Sequence, residues 1–330
     1  MAPPTHGMLL GKFLPPHLGH RYLVEFALGF ADSLTVLVCT LEDEPIPGAL
    51  RHAWMDELFG SRARVVHVAE EVPQDPSEHP RFWDIWRDLV ERHTDAPVDL
   101  VFASEDYGAR LATECGADFV PVDISREQVP VSGTAVRADP YTHWDLLTAP
   151  VRAYYARRVS VFGPESTGKS TLTRELARRY HTRHVDEYAR AHLDHASGPL
   201  TDTDFIRIAR GQAASEDALA RQCDRVLFCD TDPLATTIWA DALLGHVPPE
   251  VTRLASARPY DLTLLCDVDV PFVPDPQRYQ PEQADRDAFF ADCQRALSDH
   301  GRRHVVLRGS WEERLSTATA AVDALLSTPR

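Results

Sequence analysis

Two short stretches of this 330-residue chain hold the residue types that grip phosphate. GPESTGKS, over 163–170, fits GxxxxGK[ST], a loop whose backbone N–H groups wrap a polyphosphate at a helix N-terminus, where the helix dipole also favours negative charge. Gly163 opens the turn, and the amides from Glu165 through Ser166, Thr167 and Gly168 to Lys169 and Ser170 would surround a β-phosphate before Thr171 carries the chain into the helix. The Lys169 ammonium would reach the β and γ oxygens of ATP, and the Ser170 hydroxyl would hold Mg²⁺. GKFLPPHLGH, over 11–20, places Lys12, His17 and His20 around Gly11, Phe13 and Gly19. Two imidazoles at the start of a helix can donate to an α-phosphate as it becomes five-coordinate during in-line attack, with Gly19 allowing close backbone approach.

Lys12 and Lys169 are the only lysines in the chain, and every other permanently basic side chain is arginine. A compact ammonium suits the shifting oxygens of a polyphosphate, whereas a guanidinium needs room for its planar fork. Acids stand where a phosphate site needs them. Asp230 follows the apolar run RVLFC, the position of a carboxylate that holds a metal's water shell, and Asp232 lies two residues on. Asp186 and Glu187 end another apolar run, and one of them should orient or deprotonate an attacking hydroxyl. Asp275 and Arg278, in VPDPQRY, read as a proline-rich loop able to close over phosphates.

The elements that position these groups alternate. Apolar runs at 7–11, 34–40, 64–68, 99–103 and 118–122 read as strands separated by helical patterning, including 79–93 and 106–115. A second series follows at 159–162, 183–186, 225–229, 261–266 and 303–307. Strands alternating with helices predict an α/β protein with two doubly wound parallel sheets. The stretch 139–158, with two prolines and many aromatics, interrupts the rhythm and predicts a packed connector, placing the domains at 1–150 and 151–330.

Composition excludes several classes. A net charge of −16 disfavours nucleic acid as a partner, so any phosphate is held by local donors against the overall field. No apolar run approaches the ~20 residues that cross a bilayer, and MAPPTHGMLLGKF has no signal-peptide pattern, so a cytoplasmic protein without membrane attachment is expected. The six cysteines form no CxxC pair, which points away from zinc and from a disulfide framework.

The flanked motif GxFxPxHxGH after a first strand, with SGTAVR at 132–137 matching ISxTxxR, resembles the HxGH nucleotidyltransferases, a Rossmann-like fold. The resemblance places Ser132, Thr134 and Arg137 at a helix opening, facing the β and γ phosphates of ATP. That domain followed by a P-loop domain with DEYAR and DTD closely resembles, over essentially the whole chain, the bifunctional NadR family: nicotinamide-nucleotide adenylyltransferase joined to ribosylnicotinamide kinase. The resemblance implies phosphorylation of nicotinamide riboside to nicotinamide mononucleotide by the second domain and its adenylylation to NAD by the first. ATP would be the co-substrate and Mg²⁺ the cofactor, and a homo-oligomer is compatible with it.

Family motifs land on Gly11, Lys12 and Phe13; on His17, Gly19 and His20; and on Glu187, Tyr188, Ala189 and Arg190, which favours Glu187 over Asp186 as the acid. HPRFWDIWR resembles the family's Trp-containing stretch, making Trp83 or Trp86 the ring that stacks on nicotinamide. Some members carry an N-terminal helix-turn-helix repressor; six residues precede the first expected strand here, so that role is not expected. Two other readings keep the same phosphate sites: a flavin- or pantetheine-type acceptor, or a nucleotide-sensing regulator without turnover.

Overall fold

The computed structural model describes residues 4–274, 279–280 and 282–328, and the chain divides into two compact units, Met1–Val151 and Arg152–Arg330. Asp275 and Arg278, expected to close over phosphates, lie outside the described residues.

Unit 1 runs β1 (His6–Gly11), α1 (Leu18–Phe30), β2 (Ser33–Cys39), α2 (Gly48–Phe59), β3 (Arg64–Val68), α3 (Phe82–His93), β4 (Leu100–Ala103), α4 (Tyr107–Cys115), β5 (Asp118–Pro121) and α5 (Gly133–Ala138), and α6 (Ala149–Tyr155) spans the division. All five strands pair in parallel in the order β3-β2-β1-β4-β5. Alternation along the strands sends Leu9, Val36 and Val38 to one face, packed on Val24 and Ala27 of α1 and Met55 and Phe59 of α2. Met8 and Leu37 face the other way, onto Trp86 and Leu89 of α3 and Leu111 of α4. The order reverses at β1, so a crevice opens at the carboxyl ends of β1 and β4, where open α/β sheets bind ligands.

Unit 2 runs β6 (Arg157–Phe162), α7 (Lys169–Arg179), β7 (His184–Val185), α8 (Tyr188–Leu193), α9 (Asp202–Ala220), β8 (Val226–Asp230), α10 (Pro233–Leu244), α11 (Pro249–Ala257), β9 (Leu262–Cys266), α12 (Gln283–Asp299), β10 (His304–Leu307) and α13 (Trp311–Leu326). Its sheet is also parallel, ordered β10-β9-β6-β8-β7. Val159, Val161 and Phe228 pack on Leu176 of α7 and Val322 of α13, while Phe162 and Leu265 meet Ile238 of α10 and Phe289 of α12. β6 lies between β8 and β9, and the loop after β6 sits at that switch point.

Two local details differ from the sequence reading. β6 begins at Arg157, so the connector ends two residues earlier than its patterning predicts. The Arg157 side chain accounts for the extension: its guanidinium pairs with Asp261 at 2.8 Å and donates to the Thr328 carbonyl, giving a buried charged strand residue polar partners. The connector itself holds a short 3₁₀ turn at Trp144–Leu146, with Trp144 buried. Among the described residues no helix is long and apolar enough to cross a membrane.

Candidate active sites

In unit 1, the first strand delivers Gly11 to the crevice and α1 begins at its rim. His17 is the N-cap of α1. Its Nδ1 accepts the His20 N–H at 3.4 Å, and His20 Nδ1 accepts the His17 N–H at 3.3 Å, so each imidazole satisfies an orphan amide of the helix start. The rings stack with centroids 3.7 Å apart, and Phe13 packs edge-on against His20 at 5.0 Å. Gly19 suits this packing: a Cβ there would lie 3.0 Å from the His17 ring, tighter than side-chain contacts ordinarily are. Burial, then the Arg126 charge, pulls the His17 imidazole down to about 4. Burial, His17 and Arg126 in turn hold His20 well below the ordinary histidine value.

A cavity of about 660 Å³ gathers these groups with residues far away in sequence. Gly11, Lys12, Phe13, His17, Gly19 and His20 line it from the β1 side, and Ser132, Thr134 and Arg137 from α5. Ser132 caps α5 by accepting the Ala135 N–H at 3.2 Å. Arg137 donates to the Leu14 carbonyl and, at 3.2 Å, to the Thr134 hydroxyl, locking α5 against the loop that follows β1. Gly133 permits that approach, because a Cβ there would fall 2.5 Å from the Leu14 carbonyl oxygen.

Both tryptophans reach the cavity in different ways. Trp86 is buried, with its indole N–H spent on the Pro73 carbonyl at 2.9 Å, whereas Trp83 is half-buried. Sequence reasoning missed Arg126, Glu105 and Asp123 of the cavity wall. The Asp123 carboxylate accepts the N–H groups of Gln128 and Val129 and so shapes the loop from which Arg126 projects, with Arg126 paired to Glu105 at 2.9 Å. Nothing in that loop's composition marks it; only closure of the fold brings it to the histidines.

In unit 2, the GPESTGKS loop turns sharply after β6. Gly163 has φ 131° and a Cβ there would lie 2.6 Å from the Cys266 carbonyl oxygen, so only glycine permits this approach to β9. Gly168, at φ 87°, is the N-cap of α7. The Pro164 carbonyl accepts from Thr167 Oγ1 at 2.9 Å and from Lys169 Nζ at 2.8 Å. Glu165 accepts the N–H groups of Tyr279 and Gln280, and Ser166 Oγ accepts the Val273 N–H at 2.7 Å.

Asp230 ends β8 in the interior, 1 % exposed, and neither carboxylate oxygen finds a hydrogen-bond partner among the described residues. Burial and then Glu187 push its carboxyl up to about 6, against the pull of Lys169 and the Ser170 hydroxyl. A buried carboxylate beside a P-loop hydroxyl, with no well-aligned hydrogen bond of its own, is a site that a hard cation would satisfy. Among the described residues no cluster of three or more His, Cys, Asp or Glu side chains is placed to hold a metal. Ser170 and Asp230 would offer one hydroxyl and one carboxylate, a set that phosphate and water would complete for Mg²⁺.

A second cavity, about 180 Å³, is lined by the loop from Glu165 to Thr171, by Glu187 and Arg190, and by Gln212, Trp239 and Tyr279. Glu187 precedes α8 and faces Arg190 at 3.5 Å. The other expected substrate contacts are placed elsewhere. Asp186 is exposed and paired with Arg174 at 2.8 Å. Tyr188 gives its backbone N–H to Gln212 at 3.0 Å and covers Gly211 with its ring. Asp232 is fully buried and caps α10 by accepting the Leu234 N–H at 2.7 Å, the role expected of an acid just before a proline at N1. None of these three lines the cavity. Gln212, Trp239 and Tyr279 had no local signal, since a Trp within an apolar helix reads as core.

The P-loop after the central strand of a parallel sheet defines unit 2 as a P-loop domain, and a family model described as an AAA domain matches residues 158–314. Across both units the chain is similar to NadR proteins. It is 29% identical over 308 residues to the trifunctional NAD biosynthesis/regulator protein NadR of Escherichia coli (strain K12), covering 86% of this chain and 74% of that protein. It is 28% identical over 306 residues to the NadR of Salmonella typhimurium, with the same coverage. The fold is that of a NadR protein solved in complex with NR (TM-score 0.76, 20% identity, 98% of this chain and 97% of the other). It is equally that of a NadR protein solved with NAD and AMP-PNP (TM-score 0.75, 23% identity, the same coverage).

Proposed function

We propose that the chain is a bifunctional NAD-salvage enzyme, in which unit 2 phosphorylates nicotinamide riboside and unit 1 adenylylates the resulting nicotinamide mononucleotide. The observation that supports this most is the pairing of two different phosphate sites in one chain: stacked neutral histidines facing Ser132, Thr134 and Arg137 across one cavity, and a P-loop lining the other with the buried Asp230 carboxylate next to its Ser170.

In unit 2 the riboside's 5′-hydroxyl oxygen attacks the γ-phosphorus of ATP, the bond from that phosphorus to the β-bridging oxygen breaks, and ADP leaves. Glu187 orients the hydroxyl and takes its proton, Lys169 and the loop amides stabilise the transferring oxygens, and Trp239 with Tyr279 forms the aromatic wall for the base. Ser170 and Asp230 would hold Mg²⁺, which when bound neutralises phosphate charge. In unit 1 a phosphate oxygen of the mononucleotide attacks the α-phosphorus of ATP and pyrophosphate leaves, giving NAD. His17 and His20 donate to the α-phosphate, Lys12, Ser132, Thr134 and Arg137 hold the departing phosphates, and Trp83 stacks on the nicotinamide ring. A cytoplasmic setting, where thiols stay reduced, suits the six free cysteines.

The test is product analysis. Purified protein with ATP, Mg²⁺ and nicotinamide riboside should form the mononucleotide and then NAD, and Lys169→Ala should stop the first step while still converting supplied mononucleotide. Absence of both products from the wild-type protein would refute the reading.

A further inference from the structure

Lys12 does not stand alone at the edge of the unit 1 cavity. Its ammonium lies 2.9 Å from Glu44 Oε1, on the connection between β2 and α2. The other carboxylate oxygen accepts the Leu41 N–H at 3.0 Å and pairs with the Arg51 guanidinium. Arg51, from α2, is fully buried. It donates through Nε to the Ile46 carbonyl at 3.0 Å and through Nη1 to the Lys12 carbonyl at 2.6 Å. One buried guanidinium thus holds the backbone of Lys12 directly and its side chain through Glu44. Lys12 lines the cavity, whereas Glu44 and Arg51 do not.

We propose that Glu44 is a positioning residue for adenylyl transfer, its carboxylate fixed by Arg51 so that it holds the Lys12 ammonium ready for the phosphates of the nucleotide donor. This rests on the adenylyltransferase reading of unit 1. Charge balance argues for holding over blocking. A lone Glu–Lys pair would cancel the cation that phosphate needs, but Arg51 already neutralises Glu44, so the trio keeps one net positive charge at the cavity. The ammonium meets Glu44 Oε1 as a charge contact and not as an aligned hydrogen bond, which leaves its three donors for phosphate. A free lysine side chain samples many rotamers, and a partner fixed beforehand removes the cost of ordering it from the binding and transfer steps. Burial pushes the Glu44 carboxyl up, but the Leu41 amide, Lys12 and Arg51 outweigh it and keep the group ionised at neutral pH.

The experiment is a double-mutant cycle on the full chain, measuring NAD formation from ATP and nicotinamide mononucleotide with Mg²⁺ for wild type, Glu44→Gln, Glu44→Asp, Lys12→Ala and Lys12→Ala/Glu44→Gln. Kinase turnover and the melting curve of each variant report folding. Glu44→Gln should lower kcat/KM for ATP about tenfold or more, Glu44→Asp should recover part of it, and in the Lys12→Ala background Glu44→Gln should cost less than twofold. Equal losses in both backgrounds would make Glu44 merely structural, and an unchanged or raised kcat/KM would make it a competitor for Lys12; either overturns the proposal. If Glu44→Gln disturbs the melting curve, Glu44→Asp carries the same cycle, with loss suppressed in Lys12→Ala supporting the proposal and additive loss overturning it. Wild-type protein that makes no NAD overturns the adenylyltransferase reading together with this proposal, whereas active wild type with additive losses overturns this proposal alone.

Discussion

His17 and His20 stack with 3.7 Å between ring centroids, and each imidazole accepts the other residue's backbone N–H through Nδ1. A backbone amide can only donate, so both Nδ1 atoms are acceptors and the ring protons sit on Nε2. The helix cap therefore fixes the tautomer that leaves each Nε2–H as a donor.

His20→Ala is expected to lower NAD formation by roughly 10²–10³, the scale of losing one preorganised donor, with kinase turnover unchanged. With His17 held at about 4 and His20 well below its ordinary value, both by burial first, the adenylyl-transfer rate should show no fall between pH 8 and about pH 5 from these groups. An acid limb centred near pH 6.5 that disappears in His20→Ala would contradict the neutral pair.

Stability should carry the same signature. Unfolded His17 takes up a proton near 6.5 and folded His17 only near 4, so the unfolded chain binds more protons between those values. Unit 1 then loses stability as pH falls through that window, on the order of 3 kcal/mol by linkage. His17→Asn should reduce the pH dependence of the unit 1 melting transition, with His20 keeping part of it, which calorimetry between pH 4 and 7 would measure.

Asp230→Asn separates stability from function. The folded carboxyl, raised to about 6 by burial and Glu187 from an unfolded value of 3.8, loses stability as pH rises through that interval. Removing the charge should stabilise unit 2 at pH 7 by about 1–3 kcal/mol without Mg²⁺. Kinase turnover should fall at least a hundredfold. A less stable Asn variant in metal-free buffer would show that the carboxylate has partners of its own.

The two tryptophans should part company. Trp86→Ala removes a buried ring and an indole hydrogen bond, costing about 3–5 kcal/mol in unit 1 unfolding. Trp83→Ala should cost less than half of that yet raise KM for the mononucleotide at least tenfold. Similar KM changes in both variants would remove the distinction.

Much of this protein is written locally. Alternating apolar runs specify strands, and the two parallel sheets follow from their spacing with helices, so β3 and β9 lie within a residue or so of where patterning puts them. GPESTGKS and GKFLPPHLGH are equally legible, because a phosphate loop is a continuous turn whose glycines, lysine and hydroxyl must be neighbours in sequence. Lys12 and Lys169 announce themselves as the only lysines.

What surrounds those loops was decided by tertiary structure. Arg126 reaches the histidines from a loop more than a hundred residues on, and Gln212 joins the Tyr188 amide to the Thr231 carbonyl from the middle of α9. Asp186 and Asp232 look like site acids in sequence; folding leaves one exposed and paired and uses the other as a buried cap. A loop motif needs only neighbours along the chain, but a side chain's role depends on what the sheet's crossovers bring against it, and that is set by packing and by which buried polar groups must be satisfied. Glu44 shows the same limit: one acid among fifty acidic residues by sequence, and the partner of Lys12 once Arg51 is buried beneath it.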